Sequence, residues 1–251
     1  MKNKLIILML PLLLGTLFAE ATIFESTEFQ VEAVKTKVNK ELNLIGGVVK
    51  SEFEQNVIAF TPSLFFNEKW SLNGHFDYRE NNSEDNYDYS SGNWSENAYK
   101  GHAWLMSGQI RHTFNIHPKI KLLPGLGYYY DFKREGFINN NSKLWQGTSY
   151  GPYMAISAFF QLSPKFSLSL QERYVLARLR SYSIENNKKS ANPRYNDRIY
   201  SNVVEIAYLV KPAFKVGLGY EYENGRAKEP NTTSPTVTKV NAGKIFFNHG
   251  F

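Results

Sequence analysis

The sequence contains no cysteine. That excludes a disulfide framework, a thiolate metal site and the lipid-modified cysteine of a lipoprotein. It also lacks, after its first twenty residues, any run approaching the roughly 18 to 20 apolar residues that a membrane helix needs. A membrane role for the rest of the chain therefore requires a closed barrel, since no other spanning structure without helices satisfies every backbone group in lipid. No phosphate-cradling glycine loop, nucleophile motif or metal-ligand histidine spacing is present. His102, His112, His117 and His249 are scattered.

What is present is aromatic and alternating. Sixteen Tyr and 18 Phe help to make 15% of the 251 residues aromatic, and the formal charge is +6. From Lys119 to Leu162 the residues Ile120, Leu122, Leu126, Tyr128, Tyr130 and Phe132 fall on one parity. Gly125, Gly127, Asp131 and Lys133 fall on the other. After a polar segment, Tyr150, Pro152, Met154, Ile156, Ala158, Phe160 and Leu162 alternate with Gly151, Ala155, Ser157 and Gln161. Successive side chains on a strand point to opposite faces, so each half has one apolar and one small or polar face. Long strands of this kind carry the signature of a transmembrane β-barrel.

The same unit recurs. Tight turns begin near Asn67, Ile116, Ser163 and Lys211, about every 48 residues, with strand, long polar segment and strand between them. A propeller blade would need four short strands in that period, not two long ones. The polar segments 80–101, 134–149, 181–197 and 225–235 read as loops. A first strand is expected near residues 23–35, and residues 36–55 read as a loop or an additional hairpin. The expectation is an all-β antiparallel transmembrane barrel of about ten strands, with twelve left open, having short periplasmic turns and long extracellular loops.

The N-terminus has Lys2 and Lys4, an apolar run from Leu5 to Phe18, and Ala19-Glu20-Ala21. This reads as a signal peptide, residues 1–21, cleaved near Ala21 to leave the barrel, 22–251, in a bacterial outer membrane.

Parity assigns His75, Asp77, Arg79, Arg111, Lys121, Asp131, Lys133, Arg173, Glu205, Lys215, Glu221 and Glu223 to the lumen. Among them Arg79, Arg111, Lys121, Lys133 and Arg173 are the expected ion pathway. Arg111, Lys121, Lys133 and Arg173 would form a basic wall, with Asp131 in it and the glutamates beyond it. His75 and Asp77 share a face as a candidate acid/base pair, but no further carboxylates for a hydrolytic site are identifiable. The chain is expected not to be an enzyme. The basic loop residues Lys143, Lys188, Lys189, Arg194 and Arg198 read as solvated, or as contacts to anionic lipopolysaccharide or solute, and not as a nucleic-acid surface.

The central hairpin resembles the oligogalacturonate-specific porin family (KdgM-type). The resemblance lies in Leu123-Pro124-Gly125, in Tyr150-Gly151-Pro152-Tyr153, and in Leu170 with Arg173-Tyr174. Order and strand placement agree over roughly Trp70 to Tyr222. It implies a monomeric twelve-stranded barrel with lumen arginine tracks that guide acidic sugars, and Arg173 is the position that carries over. The chain departs from the family at Val175, where a second Arg is usual, and its loop between Gly125 and Tyr150 is longer. The resulting expectation is a porin for passive diffusion of small anionic solutes, without a cofactor. The alternatives are a structural or adhesive barrel with a plugged lumen and, behind it, a barrel hydrolase.

Overall fold

The computed structural model describes residues 25–44, 47–83, 86–88, 93–95, 99–137, 140–185, 188–191, 195–228 and 236–250. The expected signal peptide and Phe251 lie outside them. The strands are β1 (Ser26–Leu44), β2 (Gly47–Phe65), β3 (Trp70–Ser83), β4 (Asn86–Asp88), β5 (Asn93–Ser95), β6 (Tyr99–His112), β7 (Phe114–His117), β8 (Ile120–Phe137), β9 (Asn140–Gln161), β10 (Phe166–Glu185), β11 (Lys188–Ala191), β12 (Tyr195–Lys211), β13 (Phe214–Lys228) and β14 (Thr236–Gly250).

Ten of these, β1, β2, β3, β6, β8, β9, β10, β12, β13 and β14, pair antiparallel each with the next. β14 then pairs with β1, from Glu28↔Gly250 to Glu41↔Val237, so the sheet closes on itself. β7 extends the edge beside β8, β11 caps the end of β10, and β4 pairs with β5 in a separate small hairpin. Among the described residues, 36–44 and 47–55 hold no additional hairpin. They are the upper halves of β1 and β2, which pair continuously from Ser26↔Phe65 to Leu44↔Gly47. Similarly, β8, β9 and β10 run well into the segments read from sequence as loops.

One end of the barrel carries only short turns, the periplasmic end by the usual asymmetry. Side chains close them. Asn67 Oδ1 accepts from the backbone N–H of Lys69 at 2.8 Å and of Trp70 at 2.9 Å. Ser163 Oγ accepts from the N–H of Lys165 and of Phe166, the latter at 3.1 Å.

The expected parity holds. Leu126 (70% exposed), Leu218 (65%), Met154, Ile110, Ile206 and Ile245 project outward. Rings gather towards the ends of this apolar band. At the periplasmic end Phe166 meets Tyr208 at 4.9 Å and Trp70 meets His112 at 4.5 Å. Higher up, Trp104 lies between Phe76 and Tyr78, with centroids 5.4 and 4.6 Å away. Two such girdles are the interfacial anchors of an outer-membrane barrel.

Candidate functional site in the lumen

The inner face holds two kinds of surface. Along β6, β8, β9, β10 and the facing part of β12, Leu105, Tyr129, Tyr153, Ala155, Val175, Ala177 and Ile199 form a buried apolar cluster. Small residues make room for it. A Cβ on Gly127 would lie 2.6 Å from the Tyr153 ring, so the ring occupies the space that glycine leaves free.

The rest of the inner face mixes small, polar and charged side chains, and the charged ones are paired. Residues two apart on a strand share a face, and the sequence uses that spacing repeatedly. On β3, Arg79 grips Asp77 through Nε to Oδ1 at 2.9 Å and Nη2 to Oδ2 at 2.8 Å. His75 Nε2 lies 3.3 Å from the same carboxylate, and its Nδ1 lies 2.9 Å from the Thr61 hydroxyl. On β8, Asp131 Oδ2 accepts from the Tyr129 hydroxyl at 3.1 Å and is paired with Lys133 Nζ at 3.1 Å.

Longer bridges tie separate strands together. Arg173 on β10 donates from Nε to Ser201 Oγ at 3.1 Å. It then passes over β12, and Nη2 meets Glu221 at 3.5 Å and Glu223 at 3.6 Å on β13. Lys244 on β14 sits between Glu205 of β12 at 2.5 Å and Glu32 of β1 at 3.3 Å. Its stem lies over Gly219, where a Cβ would stand 2.6 Å from Lys244 Cε. Gln30 Nε2 donates to Glu32 Oε1 at 3.0 Å and reaches Glu205 at 3.5 Å. Buried charges persist only when paired in this way, because each one lost from water costs several kcal/mol.

Arg79 is locked to Asp77, Lys133 to Asp131, and Arg173 to Glu221 and Glu223. Arg111 lies beside Gln109, whose Oε1, in the orientation that satisfies both groups, accepts from Arg111 Nε at 2.8 Å. Lys121 is exposed near the periplasmic end of β8. Arg111, Gly125, Ala155 and Arg173 follow one another across adjacent strands, so the two arginines do face one wall. That wall is not separate from the acidic one, because Arg173 bridges them. Lys244, Glu32 and Gln30 were missed. The parity signal for Glu32 was present, opposite to Phe29 and Val31. The signal for Lys244 was obscured by Ile245-Phe246-Phe247, which is apolar on both faces.

Among the described residues no group of three acidic or histidine side chains is placed to hold a metal ion. Chemically, the arrangement can cross-link the barrel, narrow it, and offer cations to an incoming carboxylate.

No protein-family model and no curated protein matches the chain. Solved structures do. The chain is similar to the outer membrane protease OmpT from Escherichia coli, at 14% identity and a TM-score of 0.61, covering 92% of this chain and 99% of that one. The fold is that of an outer-membrane barrel. Weaker likenesses are to the attachment invasion locus protein Ail of Yersinia pestis (13% identity, 90% and 98% covered, TM-score 0.37) and to the Pseudomonas putida toluene transporter TodX (8%, 94% and 91%, 0.36).

The likeness to OmpT corrects one expectation. The chain was expected not to be an enzyme, yet the known structure it resembles at a TM-score of 0.61 is a protease, so this architecture gives no ground for excluding catalysis. The His75–Asp77 pair has a definite setting in it. Both imidazole nitrogens are engaged, and both Asp77 oxygens accept from Arg79.

Proposed function

We infer that the protein is an outer-membrane channel of low conductance, narrowed at rest by its ion-pair girdle, and that small anionic solutes are what it passes. The observation that carries this reading is the way Arg173 is held. Its carboxylate contacts, 3.5 and 3.6 Å, are long and shared between two glutamates. A tight charge-assisted pair lies at about 2.7–2.9 Å, the distance of the Arg79–Asp77 fork. A solute carboxylate can therefore replace Glu221 or Glu223 on Arg173 without breaking a strong bond. The displaced glutamates then repel it, which keeps binding weak enough for release. Arg79, Arg111, Lys121 and Lys133 continue the path above and below. The resemblance of the central hairpin to the oligogalacturonate-specific porins supports acidic sugars as the solute class, and a single barrel, with its own lumen, as the working unit.

Planar-bilayer recording tests this. Wild-type protein should conduct weakly with mild anion preference. Glu221→Gln with Glu223→Gln should raise both conductance and anion preference, and Arg111→Ser with Arg173→Ser should lower the anion/cation ratio. A wild-type channel that prefers cations, or reversal potentials unmoved in both double variants, would defeat the reading.

One observation favours a second reading, a barrel with a plugged lumen that works through its extracellular end. Asp131, Ser201 and Val175 face the lumen yet are 2%, 1% and 0% exposed. Wild-type protein and the Glu221/Glu223 variant that are both silent in the bilayer would decide for it.

A further inference from the structure

The extracellular parts of four consecutive barrel strands carry cations on the outer side. Parity places Arg178 on β10, Arg198 on β12, Arg226 on β13 and Lys239 on β14 outward, opposite to the lumen residues Arg173, Ser201, Glu223 and Ala242, and all four are exposed. Arg198 and Arg226 are direct cross-strand partners. Arg198 also pairs with Leu176, so Arg178 is its diagonal neighbour. Arg226 pairs with Val237, so Lys239 is the diagonal neighbour on the other side. Opposed side chains on one face of an antiparallel pair stand about 4.5–5.5 Å apart at Cβ, and diagonal ones about 7–8 Å. The four cations thus form an unbroken arc.

Like charges set directly opposite each other are destabilising, and no ion pair among the described residues offsets them. Among the described residues, the outward carboxylate on these four strands is Glu172, well below Arg178 on the same strand. The four take part in no ion pair among the described residues.

Depth identifies what does offset them. Tyr174, Tyr200 and Tyr222 lie on the same outer face just below the arc, and Val204, Ile206, Leu218 and Ile245 lie below those. Aromatic girdles mark the boundary between hydrocarbon and headgroups. The arc therefore sits at headgroup level on the lipid side of the barrel, a position at which an anion is presented by a lipid. We propose that it binds the phosphorylated sugar headgroup of the outer-leaflet glycolipid, lipopolysaccharide. A phosphate placed between Arg198 and Arg226 accepts N–H bonds from both planar guanidinium groups, and their repulsion becomes shared attraction. Arg178 and Lys239 extend the arc to the neighbouring phosphate or acidic sugar.

The test uses the full chain refolded in nonionic detergent, with bisphosphorylated lipid A, fully dephosphorylated lipid A or inorganic phosphate added. Native mass spectrometry reads bound lipid, and the heat-modifiable gel shift reads the unfolding midpoint. Bisphosphorylated lipid A should bind and raise the midpoint, while the other two should not. Arg198→Ser with Arg226→Ser should weaken lipid A binding about tenfold or more. Without lipid its midpoint should equal or exceed that of the wild type, because the repulsion is gone. Arg178→Ser with Lys239→Ser should weaken binding too, and serves as the readout if the first pair refolds poorly. Equal stabilisation by dephosphorylated lipid A or by inorganic phosphate, or undiminished binding by both double variants, would overturn the proposal.

Discussion

The two halves of the lumen are closed by different physics. Around Tyr129, Tyr153, Val175 and Ala177 the strands meet through packed apolar side chains let in by glycine. Around Lys244, Glu32, Glu205, Arg173, Glu221 and Glu223 they are tied by ion pairs that step over intervening strands. Packing tolerates no change of volume but is indifferent to salt and pH. An ion-pair network tolerates a change of shape yet fails at once when one partner loses its charge. On the channel reading, a solute carboxylate could exchange into the shared ion pairs at Arg173, whereas the packed cluster itself contains no ion pair to exchange.

The largest effect is expected on the charged side. Lys244→Met leaves Glu32 and Glu205 buried without their shared cation, and should cost about 3–5 kcal/mol in urea unfolding from micelles. Adding Glu32→Gln and Glu205→Gln to it should recover most of the loss, and a triple variant no better than the single one would show that packing, not charge, holds this half. On the packed side, Gly127→Val drives a side chain into the Gly108 backbone carbonyl oxygen as well as the Tyr153 ring and should cost about 3 kcal/mol, unchanged by salt. A penalty that shrinks in high salt would mean that the two halves are coupled. The smallest effect belongs to Lys121, exposed at the periplasmic end. Lys121→Ser should leave stability within about 0.5 kcal/mol and should shift only the reversal potential of a conducting barrel.

The sequence made the membrane-embedded part of the barrel legible, because lipid imposes an apolar outer stripe and parity then fixes the inner face. Tyr128 and Tyr130 outward with Asp131 and Lys133 inward follow from that alone. Where strands run beyond the bilayer, water lies outside as well, the stripe is no longer required, and alternation disappears. For this reason the charged stretch from Thr36 to Gln55 reads as a loop although it is strand almost throughout. The cations of the lumen were legible as inward residues, but their partners were not. Parity says which way Arg173 points and nothing about a glutamate two strands away. Of the arc of Arg178, Arg198, Arg226 and Lys239 only Arg198 was legible as a basic residue of note, since only the strand register brings the four side by side.

The pairing of β1 with β14 has a consequence for assembly. These are the first and last barrel strands, so their contacts span almost the whole described chain and carry the largest loop-closure cost of any in the fold. The seam must therefore zip late. Its alignment is checked by charge: Lys244 faces Val34 across the seam, with Glu32 one diagonal step away on the same inner face. With β14 already set by β13, a slip of one residue at the seam would turn Glu32 to the outer face and strip it of Lys244, since side chains change face with every register step. The last bond the barrel makes is thus one that only the correct closure can satisfy, and the Lys244 cluster acts as a proofreading latch on the finished cylinder.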